Sequence, residues 1–407
     1  MHPDSLAVHA GRDDLRRIGV HAPPLDLSTT YPFESLDDAV GSLDAMMAGG
    51  GPTGEGGPIY SRLFNPTVGR FEAGLAALEV ADAAVGFASG MAALTAAVLA
   101  ARTERPPHVV GVRPIYGTTD RLLSSGLLGT AVTWTDADGV TGAVRPETCL
   151  VMVETPVNPT LELVDVAAVA RAAGDVPVLV DSTFATPVLQ RPLSLGAAMV
   201  MHSATKFIGG HGDVLAGVVA CDAEWAARLR QVRILTGAVL HPFAAYHLHR
   251  GLATLPLRVR RAQATATALA ARLAERDGVG AVYHPSVDGR DPAGLVGTQM
   301  DGPGPMLAFE VLGPDGQPDG PGAFAAADGF LRALRLATPA VSLGSTDTLA
   351  QHPAGLTQRV STGTGGAVTA GLVRLSVGLE HADDLWDDLD RAVGAGRREA
   401  QAAPERP

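Results

Sequence analysis

Met199-Val-Met-His-Ser-Ala-Thr-Lys206-Phe-Ile-Gly-Gly-His-Gly-Asp213 is the stretch that decides how the rest of the chain is read. An apolar run ends in two hydroxyls and a single lysine, and glycines follow at once. This layout predicts an ammonium at the carboxyl end of a buried strand. Ser203 and Thr205 flank it, on backbone free to turn tightly. Such a lysine either balances a bound anion or attacks a carbonyl as an amine. The usual fate of lysine is to snorkel at the surface. Met199–Met201 on one side and Phe207-Ile208 on the other argue against that here. Apolar surroundings favour the neutral amine, which is the nucleophilic form.

The neighbouring segments have the same character. Val176-Pro-Val-Leu-Val-Asp181 is apolar on both faces, as a central parallel strand must be. Strands are predicted at 83–87, 108–112, 130–134, 149–153, 177–181, 198–202 and 215–220, and helices at 68–78, 118–127, 164–173 and 223–234. Alternation of this kind predicts a parallel sheet clothed by helices on both faces. Ligands of such sheets bind at the carboxyl ends of strands, where Glu154, Asp181 and Ser203 to Lys206 all fall. Ala88-Ser-Gly-Met91 turns from a strand into an alanine-rich helix, which makes its first N–H groups an anion site. Asp181 reads either as a turn cap or as a buried carboxylate that needs a cationic partner. The protonated ring nitrogen of pyridoxal phosphate is such a partner, and that cofactor also needs a lysine for its aldehyde.

A long helical region from Pro242 to Arg276 is predicted to lead into a second lobe. There, strands at 306–312 and 372–377 mix with helices at 323–334 and 382–395, and a charged tail frays from Arg397. The expected division is an arm at 1–58, a large domain at 59–250 and a small domain at 251–407. The arm is read as irregular apart from one helix at Leu36–Met47, with a Gly49–Pro58 tract that holds neither helix nor strand. With so little core of its own, it is expected to lie on a neighbouring subunit.

The bulk numbers agree with a folded enzyme-sized protein. The 407 residues are 46% hydrophobic and 18% charged, with a net charge of −12. Nucleic acid and membranes are therefore not expected partners. Two cysteines set in apolar runs, and a start without a secretory pattern, predict a cytoplasmic protein. His241, His247 and His249 fit no zinc spacing, so no metal is expected. Gly209-Gly-His-Gly212 follows the lysine instead of opening a βαβ unit, which excludes a dinucleotide loop.

Val180-Asp-Ser-Thr-Phe-Ala-Thr-Pro-Val-Leu-Gln-Arg-Pro-Leu-Ser-Leu-Gly-Ala, followed by His202-Ser-Ala-Thr-Lys206, resembles the Cys/Met-metabolism (trans-sulfuration) family of pyridoxal-phosphate enzymes. The likeness runs from Tyr60-Ser-Arg to Leu372-Val-Arg-Leu-Ser-Val-Gly-Leu-Glu380. It implies an aspartate-aminotransferase-like α/β fold with a mostly parallel seven-stranded sheet and a smaller α+β domain. It also implies a homotetramer made of two active dimers. Carried over residue by residue, the resemblance implies that Lys206 forms the Schiff base with the cofactor and shuttles protons. Asp181 meets the ring nitrogen. Ser89, Gly90, Met91, Ser203 and Thr205 hold the phosphate, aided by Tyr60 and Arg62 from the adjoining subunit. Tyr116 stacks on the ring and serves the leaving group. Asn158 lies beside the phenolic oxygen, and Ser342 and Arg374 clamp the substrate carboxylate.

The same residues serve γ-elimination, which yields an α-keto acid and ammonia, and γ-replacement by a nucleophile. A scaffold without turnover is the reading outside this class, although every cofactor contact is intact. Val341 stands where cystathionine enzymes carry a glutamate, which resembles the methionine γ-lyase branch. Thr348-Leu-Ala-Gln-His-Pro353 resembles that branch as well. Thr118 replaces that branch's cysteine after Tyr-Gly. Arg233-Ile234 replaces a Lys-Asp pair, and Gly355-Leu-Thr-Gln358 replaces Ser-Met-Thr-His. The outer pocket is therefore expected around Thr118, Arg233, Val341 and Gly355.

Overall fold

The computed structural model describes residues 1–102, 107–357 and 368–402. Seven strands form one sheet: β1 (Ala83–Phe87), β2 (His108–Val112), β3 (Ala131–Thr135), β4 (Thr148–Glu154), β5 (Val178–Asp181), β6 (Met199–His202) and β7 (Gly217–Cys221). Their order is β1-β7-β6-β5-β4-β2-β3. Only β7 runs against its neighbours β1 and β6; the other pairs are parallel. Successive residues along β4 supply opposite faces. Leu150 and Met152 join the core under the helices Gly90–Ala101 and Ala223–Thr236, while Val151 and Val153 join the core under Val166–Ala173. A strand buried on both faces needs an unbroken apolar run, which is why these segments do not alternate in polarity.

The helix Pro66–Glu79 shows how its start is fixed. Proline occupies its first turn, and the Asn65 side chain accepts from the Thr67 and Val68 N–H groups at 2.9 and 3.2 Å. Helix Gly90–Ala101 is capped by the Ser89 hydroxyl, which accepts from Ala92 N at 3.1 Å.

A second sheet holds β8 (Val279–Tyr283), β9 (Met306–Val311), β10 (Thr338–Pro339), β11 (Leu349–Gln351) and β12 (Leu372–Ser376), in the order β10-β11-β12-β9-β8. Helices Leu255–Ala274, Pro321–Ala333 and Ala382–Ala402 contribute to the core of this half. The chain so builds the seven-stranded, mostly parallel sheet expected from its sequence, with a smaller α+β part beside it.

Several sequence expectations need correction. The helical region 242–276 is two helices, Pro242–Leu252 and Leu255–Ala274, broken at Ala253-Thr254 ahead of Pro256. The arm has a second helix, Pro3–His9, with Pro3 in its first turn. Ala7 and Leu6 from this helix join the core of their own chain. Gly54–Gly56 makes a 3₁₀ turn within the Gly-Pro tract. The last helix reaches Ala402 instead of fraying from Arg397, because Leu389, Ala392, Val393 and Ala400 stay buried along it. Residues 403–407 of the expected tail lie outside the described residues. Among the described residues no helix is long and apolar enough to cross a membrane.

Arg233, expected in the outer pocket, is buried in the large sheet's support. Its Nη1 donates to Glu72 Oε1 at 2.6 Å and to Gly86 O at 3.0 Å. Glu72 Oε1 also accepts from Gly86 N at 2.7 Å, so the pair pins β1 to the helix Pro66–Glu79. Replacing Arg233 by methionine leaves an uncompensated buried carboxylate. It should lower stability by about 3–5 kcal/mol, read as a shift of the urea midpoint. An unchanged midpoint would show that the pair contributes nothing.

Candidate active site

One cavity of about 380 Å³ opens at the carboxyl ends of β4, β5 and β6, with residues 341–343 and β12 on the opposite wall. It brings together Ser89, Gly90, Met91, Tyr116, Asn158, Asp181, Ser203, Thr205, Lys206, Val341, Ser342 and Arg374, all singled out from the sequence.

The turn after β6 sets the lysine. Lys206 N donates to Ser203 O at 3.0 Å, and Gly210 N donates to Lys206 O at 2.8 Å. The side chain then points across the cavity, where Nζ donates to Ser342 Oγ at 2.7 Å. Burial, with a lesser push from the Arg374 charge, lowers the ammonium to about 8. A fraction of free amine is therefore present near neutrality. Ser342 is held at φ +80, in the left-handed region that disfavours a side chain, and its hydroxyl meets this lysine.

Asp181 closes β5 and is buried. Its Oδ1 accepts from the Thr183 N–H at 3.0 Å and from the Thr183 hydroxyl at 2.5 Å. Burial raises its carboxyl above the ordinary value, while the Thr183 bonds and the nearby His202 oppose this. His202 in turn meets Glu79 Oε1 through Nε2 at 2.5 Å, in full burial. Glu154 ends the neighbouring strand, directly opposite Asp181 in the β4–β5 register.

Arg374 is a buried cation whose described hydrogen bonds all go to neutral groups. Nη1 donates to Asn158 Oδ1 at 2.8 Å, and Nη2 donates to Ser342 O at 2.8 Å and to Gln351 Oε1. Nε has no partner among the described residues. Burial lowers the guanidinium to about 10, against the pull of Tyr116 and Glu154. A fork held by amides and carbonyls is open to an arriving carboxylate.

The anion end lies at the start of helix Gly90–Ala101. A side chain at Gly90 would meet Ser203 Cβ at 3.1 Å, and one at Gly217 would meet Ser89 O at 2.2 Å. Both glycines therefore let backbone close around the helix terminus. Thr205 already uses its hydroxyl within the turn, donating to Ala216 O at 3.1 Å and accepting from Ala216 N at 3.0 Å.

Some expected residues lie elsewhere. Thr118 is exposed and does not line the cavity; Thr119 does, because it is Thr119 that the helix Gly117–Ser124 turns inward. Gly355 and Arg233 do not line it either. Gln358 lies outside the described residues. Tyr60 is exposed and away from its own chain's cavity, beside the Arg62 guanidinium at 5.5 Å, and Arg62 donates to Ile234 O at 2.9 Å. His241 caps a helix by accepting from Phe243 N, and His249 bonds Ala10 O at 3.0 Å. Among the described residues no group of His, Cys, Asp or Glu is placed to hold a metal ion. Thr183 and Gln351 line the site without standing out in the sequence, whereas Glu154 is placed at a strand end with no role assigned. Glu154 closes the same strand that precedes Asn158, which was the available signal.

A buried carboxylate, a shifted lysine and a glycine-lined helix terminus on one sheet edge define a pyridoxal-phosphate-binding enzyme of the aspartate-aminotransferase-like fold. The residues fit that cofactor: Asp181 Oδ2 takes no hydrogen bond among the described residues, and Gly90 and Gly217 let Ser89 and Ser203 close up beside the free N–H groups of a helix start. A profile described as "Cys/Met metabolism PLP-dependent enzyme" matches residues 4–394, and the chain belongs to that family.

Among its relatives, a Brevibacterium sandarakinum protein called L-methionine gamma-lyase is 52% identical over 400 residues, 98% of this chain and 99% of the relative. A Streptomyces avermitilis protein of the same name is 52% identical over 97% of this chain and 89% of its own. Solved structures agree. MetB from Corynebacterium glutamicum superposes with a TM-score of 0.86 at 32% identity, over 97% of this chain and 98% of its own. CalE6 from Micromonospora echinospora, described as a methionine gamma lyase, gives 0.82 at 37% identity, over 97% and 99%.

Gly217→Ala should push Ser89 out of place and weaken cofactor retention by about tenfold, measured by equilibrium dialysis of the holoprotein. Retention equal to wild type would mean that the close approach at Ser89 is not part of the anion site.

Proposed function

We propose that this protein is a pyridoxal-phosphate-dependent γ-lyase that breaks the Cγ–S bond of methionine or a related amino acid. The products are an α-keto acid, ammonia and a thiol. One observation carries the reading: Lys206, Asp181 and Arg374 meet in one cavity whose mouth is lined by uncharged Val341, half exposed at 53%. The full-length likeness to proteins called L-methionine gamma-lyase supports it.

Bound pyridoxal phosphate supplies an electron sink for the carbanion formed at the α-carbon. The chain's residues do the rest. Arg374 holds the substrate carboxylate in its fork, and Ser342 shares that task. Lys206, with its ammonium lowered toward neutrality, accepts the α-proton and returns it within the cavity. Asp181 keeps negative charge against the ring nitrogen, and Thr183 fixes its orientation. Tyr116 delivers a proton to the departing sulfur. Ser89, Gly90, Met91, Ser203 and Thr205 hold the phosphate.

Tyr60 and Arg62 do not line their own chain's cavity, which supports their being lent across a dimer within a tetramer. The same reading takes 1–58 as an arm, 59–250 as the cofactor domain and 251–407 as the small domain, in a cytoplasmic protein. A cystathionine-cleaving reading has one observation in its favour, since CalE6 also carries the description cystathione gamma lyase at 36% identity. Val341 offers no charge for a distal ammonium, which favours the methionine-type substrate.

The protein should purify yellow and release α-keto acid from methionine or homocysteine without added thiol. Lys206→Ala should lose both colour and turnover. Cystathionine and O-acetylhomoserine serve as the comparison substrates. Turnover that requires an added thiol and yields a thioether would overturn the lyase in favour of a γ-replacing transferase. A yellow protein with no turnover on any of these substrates would favour a scaffold. Arg374→Lys should raise KM by about tenfold with little change in kcat, because one point charge replaces a fork.

A further inference from the structure

We propose that Glu154 is a positioning residue, a single carboxylate that clamps the Tyr116 and Asn158 loops in register with Asp181. The inference rests on the reading of Tyr116 as the proton donor to the leaving group.

The geometry is specific. Glu154 Oε2 accepts from Tyr116 N at 2.6 Å, and Oε1 accepts from Asn158 N at 2.9 Å. Each oxygen serves one loop. The two loops follow different strands, β2 and β4, and no backbone hydrogen bond in the described residues joins Tyr116 to Asn158. Tyr116 precedes helix Gly117–Ser124 without a side-chain cap, and its phenol makes no hydrogen bond among the described residues. The residue is 40% exposed, so packing alone does not fix it. What locates the phenol is the backbone behind it, and Glu154 holds that backbone. Asn158 carries the clamp further, because its side-chain oxygen accepts from Arg374 Nη1 at 2.8 Å. Glu154 thus sets the height of the acid and, through one amide, the place of the carboxylate fork.

Both oxygens of Glu154 face N–H donors, an arrangement that the ionised carboxylate satisfies fully and that is costly to bury. Glu154 is 5% exposed. It faces Asp181 on β5, Arg374 on β12, and Tyr116 at the helix start, with Lys206 across the same cavity. Burial first, and Asp181 second, push its carboxyl up to about 8, against the two N–H bonds and Arg374. Glutamine has almost the same shape but only one acceptor oxygen. Its NH₂ would confront one of the two backbone N–H groups, so one loop must retreat.

The raised carboxyl also makes stability depend on pH. The folded value lies above the ordinary carboxyl value of 4.5. The stability tied to the protonated form is therefore full below the ordinary value and lost as pH rises through about 8. In cofactor-free protein, wild type should lose melting temperature as pH rises from about 4.5 to about 8, and Glu154→Gln should lose less.

The deciding experiment is a double-mutant cycle of Glu154→Gln with Tyr116→Phe in the holoenzyme, with methionine as substrate. Glu154→Gln alone should lower kcat about tenfold to a hundredfold and change KM by less than about threefold. In the Tyr116→Phe background, the same change should cost less than about threefold, because no phenol is left to misplace. The visible circular dichroism of the bound cofactor should change in Glu154→Gln, as Asn158 moves. Fully additive losses, or a Glu154→Gln enzyme indistinguishable from wild type, would overturn the clamp while leaving the lyase reading intact. A wild type that binds no cofactor would overturn the lyase reading, and the clamp with it.

Discussion

Two carboxylates end neighbouring parallel strands in direct register, both out of water. Burying Glu154 and Asp181 side by side is unfavourable unless each is held by donors and faced by positive charge. Most of the site can be understood as the answer to that constraint. Thr183 gives Asp181 two donors, and Tyr116 and Asn158 give Glu154 one backbone donor each. Arg374 reaches in from the second sheet and makes up part of the missing charge. What remains unanswered in the protein alone is the outer oxygen of Asp181, and a protonated ring nitrogen is a suitable partner for it.

The same arrangement tunes the lysine. Burial lowers the lysine's ammonium, and the guanidinium brought in to face acids adds a lesser repulsion. Lys206 is pushed toward its neutral form by burial and, to a lesser degree, by the same cation that faces Glu154. One charge placement so serves three tasks, and the two sheets are tied together by Arg374, which bonds Asn158 on one side and Ser342 and Gln351 on the other.

The sequence made the sheet legible because each central strand is an unbroken apolar run closed by a polar residue. Asp181 and Lys206 stand out for that reason: they terminate such runs. Glu154 ends a run too, but its work depends on lying opposite Asp181, and register between strands far apart in sequence leaves no local trace. Thr118 stands at the position where the methionine γ-lyase branch carries a cysteine, but the one-residue step to Thr119 decides which side chain of helix Gly117–Ser124 meets the cavity, and that phase cannot be read at a helix start. Arg233 looked like a pocket residue by position within a motif, yet its fate was set by Glu72, 161 residues away. The break at Ala253-Thr254 was hidden because Pro256 suits the first turn of a new helix as well as an irregular turn. The short strands β10 and β11, two and three residues long, carry too few residues for a periodic signal.

The depth of the cavity's residues also bears on how the protein can diversify. Asp181, Glu154 and Arg374 are buried and tied to backbone or to each other, while Val341 is 53% exposed and Leu215 is 71% exposed at the rim. A change at the rim disturbs little packing, whereas a change at the floor breaks several bonds at once. Neutral drift can therefore explore new side-chain recognition at the mouth while the chemistry beneath it stays constant. A duplicated copy of this chain could acquire a different amino-acid preference by rim substitutions, without passing through a form unable to retain its cofactor.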